Sequence, residues 1–135
     1  MIVSNISERA ARPQLLLVED DPAVRRSMQL LLQAQGYVVR AYASGQALIA
    51  DESIASAACF IADYRLEHMD GISVLTTLRE RGWQGPAILV TAFPSAELYD
   101  RAHAAGFTCI FDKPLRQHEL VDAVSRLLSM RDTSA

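Results

Sequence analysis

Short apolar runs alternate five times with stretches of helical periodicity along this chain. The runs are continuous rather than alternating apolar and polar, which is typical of strands in a sheet that is covered on both faces. Between them, apolar residues recur every three or four positions, the spacing of one face of a helix. The predicted strands are 14–19, 38–42, 58–63, 87–91 and 108–112.

The predicted helices begin and end at residues suited to those positions. Asp21 is a good N-cap because its carboxylate can accept hydrogen bonds from the first turn, and Pro22 fits the first helical position. Asp21 is therefore interpreted as a cap rather than as a further site acid. The helices are predicted from Pro22 to Gly36, from Ser44 to about Ser53, from Ile72 to Gly82, from Pro94 to Gly106 and from Gln117 to about Met130.

Five strand–helix units in alternation predict an α/β fold. The simplest solution is a doubly wound five-stranded parallel sheet of flavodoxin-like order 2-1-3-4-5, a (βα)5 arrangement. We expect one domain over residues 14–130, preceded by a flexible leader at 1–13 and followed by a C-terminal tail at 131–135.

Composition narrows the class of protein. With 135 residues, of which 50% are hydrophobic and 21% charged, the chain can bury a core of its own. A net charge of -3 argues against a nucleic-acid-binding surface. The longest apolar run, 57–62, is far shorter than the ~20 residues of a membrane span. The first 13 residues lack the apolar core of a signal peptide, so we expect a cytoplasmic protein.

The two cysteines do not suggest a site. Cys59 and Cys109 both lie inside apolar runs, where a cysteine usually acts as a small buried hydrophobe. Their number and spacing match neither a metal site nor a disulfide framework.

Side chains that could bind a metal or a phosphoryl group stand at or just after the ends of four predicted strands. Glu19 and Asp20 come after the first strand, Asp63 ends the third, Thr91 ends the fourth and Lys113 comes after the fifth. Ligands of open parallel sheets bind at the carboxyl ends of the strands, at the switch point, here between strands one and three. Carboxylate oxygens without a histidine or cysteine favour Mg²⁺. Because a carboxylate can also carry a phosphoryl group, these residues predict Mg²⁺ beside a phosphorylated aspartate.

The segments LLLVEDDPAVRR, IADYRLEHMDG, LVTA and FDKPL, in this order, resemble the receiver domain of two-component response regulators. The resemblance extends from residue 14 to about 130. It implies that Asp63 is the phosphoacceptor, that Asp20 binds the metal directly and that Glu19 reaches it through water. Arg65 takes the position whose backbone carbonyl binds Mg²⁺.

The same resemblance assigns the remaining site residues. Thr91 matches the switching hydroxyl residue, and Ala92 beside it is the small residue that admits the phosphoryl group. Lys113 matches the phosphate-binding lysine, and its bond to Pro114 is expected to be cis. The implied function is Mg²⁺-dependent phosphoryl acceptance from a histidine kinase onto Asp63, which switches protein–protein contacts. Such a domain is a signalling phosphoacceptor that promotes its own phosphotransfer and autodephosphorylation, not a conventional enzyme.

The implied partner is a sensor histidine kinase or a phosphotransfer protein, which in this family docks along the first helix. Arg25 and Arg26 on that helix fit either a solvated face or such a docking site. In the family, the face formed by helix four, strand five and helix five commonly mediates dimers or output contacts. We expect neither direct nucleic-acid binding nor membrane contact. Candidate residues of the output face are Tyr99, Arg101, His103, Gln117 and Arg126.

Three departures from the family pattern bear on function. Glu67 stands where the family often has proline, and Ile110 stands where it usually has the aromatic partner of the switching threonine. Arg65 and Phe93 occupy the two positions that line the path of the hydrolytic water. Our hypothesis is that the bulky Phe93 shields the acyl phosphate and lengthens its life.

Other classes of protein fit less well. A flavodoxin needs a phosphate loop rich in serine, threonine and glycine after its first strand, where this chain carries acids. An aspartate-based phosphatase of the haloacid-dehalogenase type needs a second acid two residues after its nucleophile, where this chain has Arg65. A pseudo-receiver with the fold but no phosphorylation stays open because of Ile110 and Glu67. The few residues after Met130 cannot form a DNA-binding module, so the chain is either a stand-alone receiver or part of a longer regulator.

Overall fold

The computed structural model describes residues 12–134, so the predicted leader at 1–13 lies almost wholly outside the described residues. Within them, strands and helices alternate along the chain. They are β1 (Gln14–Val18), α1 (Pro22–Ala34), β2 (Val38–Tyr42), α2 (Gly45–Ile49), a 3-10 helix (Glu52–Ser56), β3 (Cys59–Asp63), α3 (Gly71–Glu80), β4 (Ala87–Thr91), α4 (Ala96–Ala105), β5 (Cys109–Asp112) and α5 (Gln117–Ser134).

The five strands form one parallel sheet in the order β2-β1-β3-β4-β5, which confirms the predicted topology. In its centre, Leu17 of β1 lies between Ala41 of β2 and Ile61 of β3. The chain reverses its direction of winding between β1 and β3. The crevice at the carboxyl ends of these two strands is therefore the place where a ligand is expected.

Successive residues of each strand point to opposite faces of the sheet, and helices cover both faces. Leu15 and Leu17 pack on the side of α1 and α5, whereas Leu16 and Val18 pack on the side of α2, α3 and α4. All four are fully buried. The continuous apolar runs of the sequence thus reflect burial on both faces.

Local capping explains where helices begin and end. The Asp21 carboxylate accepts hydrogen bonds from the backbone N–H groups of Ala23 and Val24, at 2.9 and 3.1 Å, which confirms its predicted role as N-cap. Gly106 ends α4 with a φ of 114°, a left-handed conformation that glycine adopts without strain.

The second helical segment differs from the prediction. The expected single helix to about Ser53 is wrong, because α2 ends at Ile49 and a separate 3-10 helix follows. Asp51 starts that second segment, since its carboxylate accepts hydrogen bonds from both the backbone N–H and the hydroxyl of Ser53. A capping side chain in the middle of a weak helical pattern has divided it.

The remaining differences are small. Helix α5 runs to Ser134, past the end expected near Met130, and three strands begin or end one residue inside their predicted bounds.

Of the two cysteines, Cys59 is buried as predicted, whereas Cys109 is only half-buried; both are free thiols. Among the described residues, no helix is long and apolar enough to cross a membrane.

Candidate functional site

Three carboxylates meet at the crevice between β1 and β3. Glu19 and Asp20 directly follow β1, and Asp63 is the last residue of β3, so the parallel pairing brings them to one edge. One carboxylate oxygen from each lies within 4.8 Å of the others. Glu19 is only 3% exposed, whereas Asp20 is open to solvent. This set of hard oxygen donors fits a Mg²⁺ ion that keeps part of its hydration shell.

An ammonium group closes the acidic crevice. Lys113 Nζ lies 2.8 Å from Asp63 Oδ2 and 3.7 Å from Glu19 Oε1. The backbone N–H of Lys113 donates to the carbonyl of Thr91 at 2.7 Å, and the bond from Lys113 to Pro114 is cis, as the resemblance implied. The lysine expected from the sequence is therefore in direct contact with the expected phosphoacceptor.

Glu19 is an acid of this crevice whose titration is shifted. Burial raises the pKa of Glu19 to about 7, and the nearby charge of Asp63 acts in the same direction. The backbone N–H of Asp21, 3.1 Å from Glu19 Oε2, and the ammonium of Lys113 partly offset this rise. Glu19 thus holds a proton more readily than an ordinary glutamate does. A second cation at this site would favour its ionised form.

Lys113 shows the opposite balance. Burial acts to lower its pKa, but its hydrogen bond to Asp63 and the charges of Asp63 and Glu19 outweigh that effect, so its pKa is raised. The group is therefore a firmly charged ammonium at neutral pH, suited to pair with an anion such as a phosphoryl oxygen.

Thr91 lies at the same edge of the sheet. It is fully buried at the end of β4, one position beyond Val90, which is the register partner of Asp63. Its hydroxyl oxygen accepts a hydrogen bond from the backbone N–H of Phe93 at 3.1 Å. That bond uses the oxygen only as an acceptor, so the hydroxyl hydrogen can serve another partner.

Two loops above the site contact each other through Arg65 and Phe93. The Arg65 guanidinium lies 4.2 Å from the centroid of the Phe93 ring, a cation–π geometry. The ring itself is 58% exposed. The sequence singled out both positions, but no local pattern indicated that the two side chains would pair.

Helix α4 is tied to both sides of the site by two further hydrogen bonds. Arg101 Nη1 donates to the hydroxyl of Tyr64, the residue after Asp63, at 3.3 Å. The Tyr99 hydroxyl donates to Asp112 Oδ1, the residue before Lys113, at 2.7 Å. Tyr64 and Ile110 are half-buried against the same apolar cluster, so Ile110 fills core space without a polar group of its own.

Sequence reasoning missed the contact of Arg25 with the acidic turn. Its Nη1 donates to the backbone carbonyl of Glu19 at 2.9 Å, and the residue is half-buried, whereas the adjacent Arg26 is exposed. The sequence did hold a signal for this contact. Arg25 stands one helical turn after the N-cap Asp21, a position from which a side chain can reach back to the preceding loop.

An apolar groove opens beside the charged crevice. A cavity of about 460 Å³ runs from Asp63 and Lys113 along α1 towards the start of α5. The apolar side chains that line the groove include Val24, Met28, Leu31, Leu115 and Leu120.

Glu67, which departs from the family pattern, lies on the open surface, and its carboxylate is 3.8 Å from the imidazole of His68.

The chain is similar to two curated regulatory proteins. It is 29% identical over 126 residues to the response regulator protein TodT of Pseudomonas putida, covering 93% of this chain and 55% of TodT. It is 31% identical over 108 residues to the C4-dicarboxylate transport transcriptional regulatory protein DctR of Rhodobacter capsulatus, covering 78% of this chain and 55% of DctR. The chain therefore spans about half the length of these curated relatives.

A solved structure and a family match agree with these relatives. The chemotaxis protein CheY4 of Vibrio cholerae superposes with a TM-score of 0.81 at 25% identity, over 87% of this chain and 99% of that one. Residues 15–125 match the response regulator receiver domain. Domains of this family are signalling domains of two-component systems that accept a phosphoryl group and generally bind Mg²⁺. This chain therefore belongs to the response regulator receiver domain family.

Proposed function

We propose that this chain is a phosphorylation-dependent switch in which Asp63 accepts a phosphoryl group from a histidine kinase or a phosphotransfer protein. The observation that carries the proposal is the 2.8 Å contact between Lys113 Nζ and Asp63 Oδ2 inside a crevice that also holds Glu19 and Asp20. In the proposed transfer, the P–N bond of a phosphohistidine breaks as an O–P bond forms at Asp63. The imidazole leaves with the bonding electron pair.

The residues of the crevice have different roles in the proposed transfer. Glu19, Asp20 and Asp63, with the backbone carbonyl of Arg65, would hold Mg²⁺, which neutralises charge when bound. Lys113 exchanges its carboxylate partner for a phosphoryl oxygen, and the Thr91 hydroxyl donates to another. Phosphoryl transfer needs little more than this, because positioning and charge neutralisation supply most of the catalysis.

Phosphorylation would change the protein's contacts by shifting an equilibrium between two conformations. Thr91 and Lys113 bind the phosphoryl group better in one of these conformations, so that conformation becomes more populated. Thr91 and Lys113 lie on β4 and directly after β5. Asp112 precedes Lys113 and accepts the Tyr99 hydrogen bond, so a shift of Lys113 has a direct route to α4. We propose that the face of α4, β5 and α5 carries the switched contacts, including those of a homodimer. Its candidate residues are Tyr99, Arg101, His103, Gln117 and Arg126.

The donor would dock at the apolar groove beside the crevice. That groove begins at Asp63 and Lys113 and extends along α1, so an apolar helix surface that carries a phosphohistidine could reach the acceptor. We propose a cytoplasmic site of action, since kinase, nucleotide and Mg²⁺ meet there. The domain bounds that we propose are residues 14–130, with a leader before them and a tail at 131–135.

The pair formed by Arg65 and Phe93 sets the lifetime of the phosphorylated state in this proposal. The stacked guanidinium and ring would cover the approach of a water molecule to the acyl phosphate. We expect Phe93→Ala to speed dephosphorylation, measured as loss of the phosphoryl adduct over time. An unchanged rate would contradict this part of the proposal.

The decisive experiment is intact-mass spectrometry after incubation with acetyl phosphate, with and without Mg²⁺. We expect one added phosphoryl group on the wild type with Mg²⁺ and none without it. Asp63→Asn should remove the adduct in both buffers. No adduct on the wild type, under conditions that label an ordinary receiver, would favour a pseudo-receiver, for which Ile110 and Glu67 are the relevant departures.

A further inference from the structure

Arg25 holds the acidic turn between β1 and α1 at two points. Its backbone N–H donates to the carbonyl of Asp21 at 2.9 Å, which is the first hydrogen bond of the helix. Its Nη1 donates to the carbonyl of Glu19 at 2.9 Å. One residue thus binds both ends of the turn in which Asp20 lies.

The other polar groups of Glu19 are also bound. Its backbone N–H donates to the carbonyl of Tyr42 at 3.1 Å, and its Oε2 accepts from the backbone N–H of Asp21 at 3.1 Å. The carbonyl of Glu19 belongs to the peptide plane that leads into Asp20. A hydrogen bond to this carbonyl therefore restrains the peptide plane from which Asp20 projects.

The surroundings make Arg25 suited to this task. The side chain is half-buried, and the hydrogen bond from its cationic guanidinium to a carbonyl is charge-assisted. Groups that orient metal ligands without touching the metal commonly tune affinity strongly.

We propose that Arg25 is a positioning residue for the metal site, acting through the Glu19 carbonyl on the orientation of Glu19 and Asp20. The inference rests on the proposed function, because it assumes that these acids bind Mg²⁺. It differs from both sequence interpretations of Arg25, a solvated face and a docking contact.

Charge and geometry predict opposite effects of removing this residue. Removing a positive charge near a cation site should strengthen Mg²⁺ binding, since a repulsion is lost. Removing the donor that orients the acids should weaken it. The neighbouring Arg26 is a matched control, because it carries the same charge on the same helix and is exposed.

The test is a calorimetric titration with MgCl₂ at constant ionic strength on the wild type, Arg25→Met, Arg25→Lys and Arg26→Met. We expect Arg25→Met to raise the Kd for Mg²⁺ about tenfold. Arg26→Met should bind as the wild type does or slightly more tightly. Arg25→Lys, which keeps both a donor and the charge, should recover most of the affinity.

Thermal unfolding without Mg²⁺ separates positioning from loss of the fold. We expect Arg25→Met to stay folded at the titration temperature, with its melting temperature raised less by Mg²⁺ than that of the wild type. If this variant binds Mg²⁺ like Arg26→Met, or if Arg25→Lys binds as poorly as Arg25→Met, the inference is overturned. Failure of the wild type itself to bind Mg²⁺ would instead reject the proposed function, and this inference with it.

Discussion

The carboxyl and amino edges of the sheet use charge in opposite ways. At the carboxyl edge, three acids crowd within 4.8 Å of one another, with Lys113 among them. At the amino edge, the single guanidinium of Arg79 donates to the backbone carbonyls of Trp83, Gly85 and Gly106, at 3.1, 2.8 and 3.1 Å. The carboxyl edge therefore crowds several negative charges together, whereas the amino edge holds one positive charge that is hydrogen-bonded to three backbone carbonyls.

Trp83 completes the amino edge. Its ring is 6% exposed and meets Phe60 edge-on, with centroids 6.5 Å apart. Its Nε1 donates to the carbonyl of Ala57 at 2.9 Å, and Arg79 lies 5.2 Å from its ring centroid. Buried groups with all partners in place stabilise a fold, whereas crowded like charges weaken it unless a ligand relieves them. The difference assigns stability to one edge and function to the other.

Trp83→Ala should have the largest effect on stability. It removes a buried ring and leaves the Ala57 carbonyl without its donor, so we expect a loss of about 3–5 kcal/mol in the free energy of unfolding. Urea unfolding followed by circular dichroism measures it. Phe93→Ala, an exposed ring at the carboxyl edge, is the control and should change stability by less than about 0.5 kcal/mol. Equal losses in the two variants would remove the distinction between the edges.

Arg79→Met should come next. Three backbone carbonyls lose a charged donor, and because the site is half-buried we expect a loss of about 2–3 kcal/mol. The same urea unfolding detects it. Arg126→Met is the matched control, since Arg126 is exposed on α5. Phosphoryl acceptance by folded Arg79→Met should match the wild type; a large loss would show that the amino edge also serves function.

The pH dependence of stability probes the carboxyl edge. The pKa of Glu19 is raised to about 7 in the folded protein, mainly by burial, so folding favours its protonated form. This contribution is complete below pH 4.5, the ordinary value, and is lost as pH rises through about 7. Without Mg²⁺, we expect unfolding free energy to fall by on the order of 2 kcal/mol between pH 5 and pH 8.5.

Urea unfolding across that range measures the effect, and Glu19→Gln is the control because it cannot titrate. The slope should be absent in Glu19→Gln. Saturating Mg²⁺ should also flatten the slope of the wild type, because the cation favours the ionised carboxylate. A wild-type slope that matches that of Glu19→Gln would mean that other groups cause the dependence.

Asp20→Asn should have the smallest effect on stability, and in the opposite direction. It relieves repulsion at an exposed position, so we expect a gain of about 0.5–1 kcal/mol without Mg²⁺. The stabilisation that Mg²⁺ brings to the wild type should disappear. Differential scanning calorimetry with and without Mg²⁺ measures both changes. A loss of stability without Mg²⁺ would show that the acidic edge is not under repulsion.

The parts of the fold that sequence reasoning predicted depend on local signals. Capping at Asp21 and the glycine at 106 need only neighbouring residues, so both were predictable. The division of the second helix was not, because Asp51 competes with the helix for the backbone around Ser53 and the apolar pattern there is weak. The pairing of Arg65 with Phe93 joins two loops and has no signal in either one alone.

By itself, the sequence determined the alternation of strands and helices, the edge at which the polar strand ends gather and the chemical types of the groups there. These follow from hydrophobic periodicity and from the chain direction that parallel strands share. Only the tertiary structure decided which groups touch. Lys113 meets Asp63 across 50 residues of chain, and Arg79 joins the loop before β4 to the loop before β5. Such distances depend on strand register and on the packing of helices against the sheet, which no local stretch of sequence encodes.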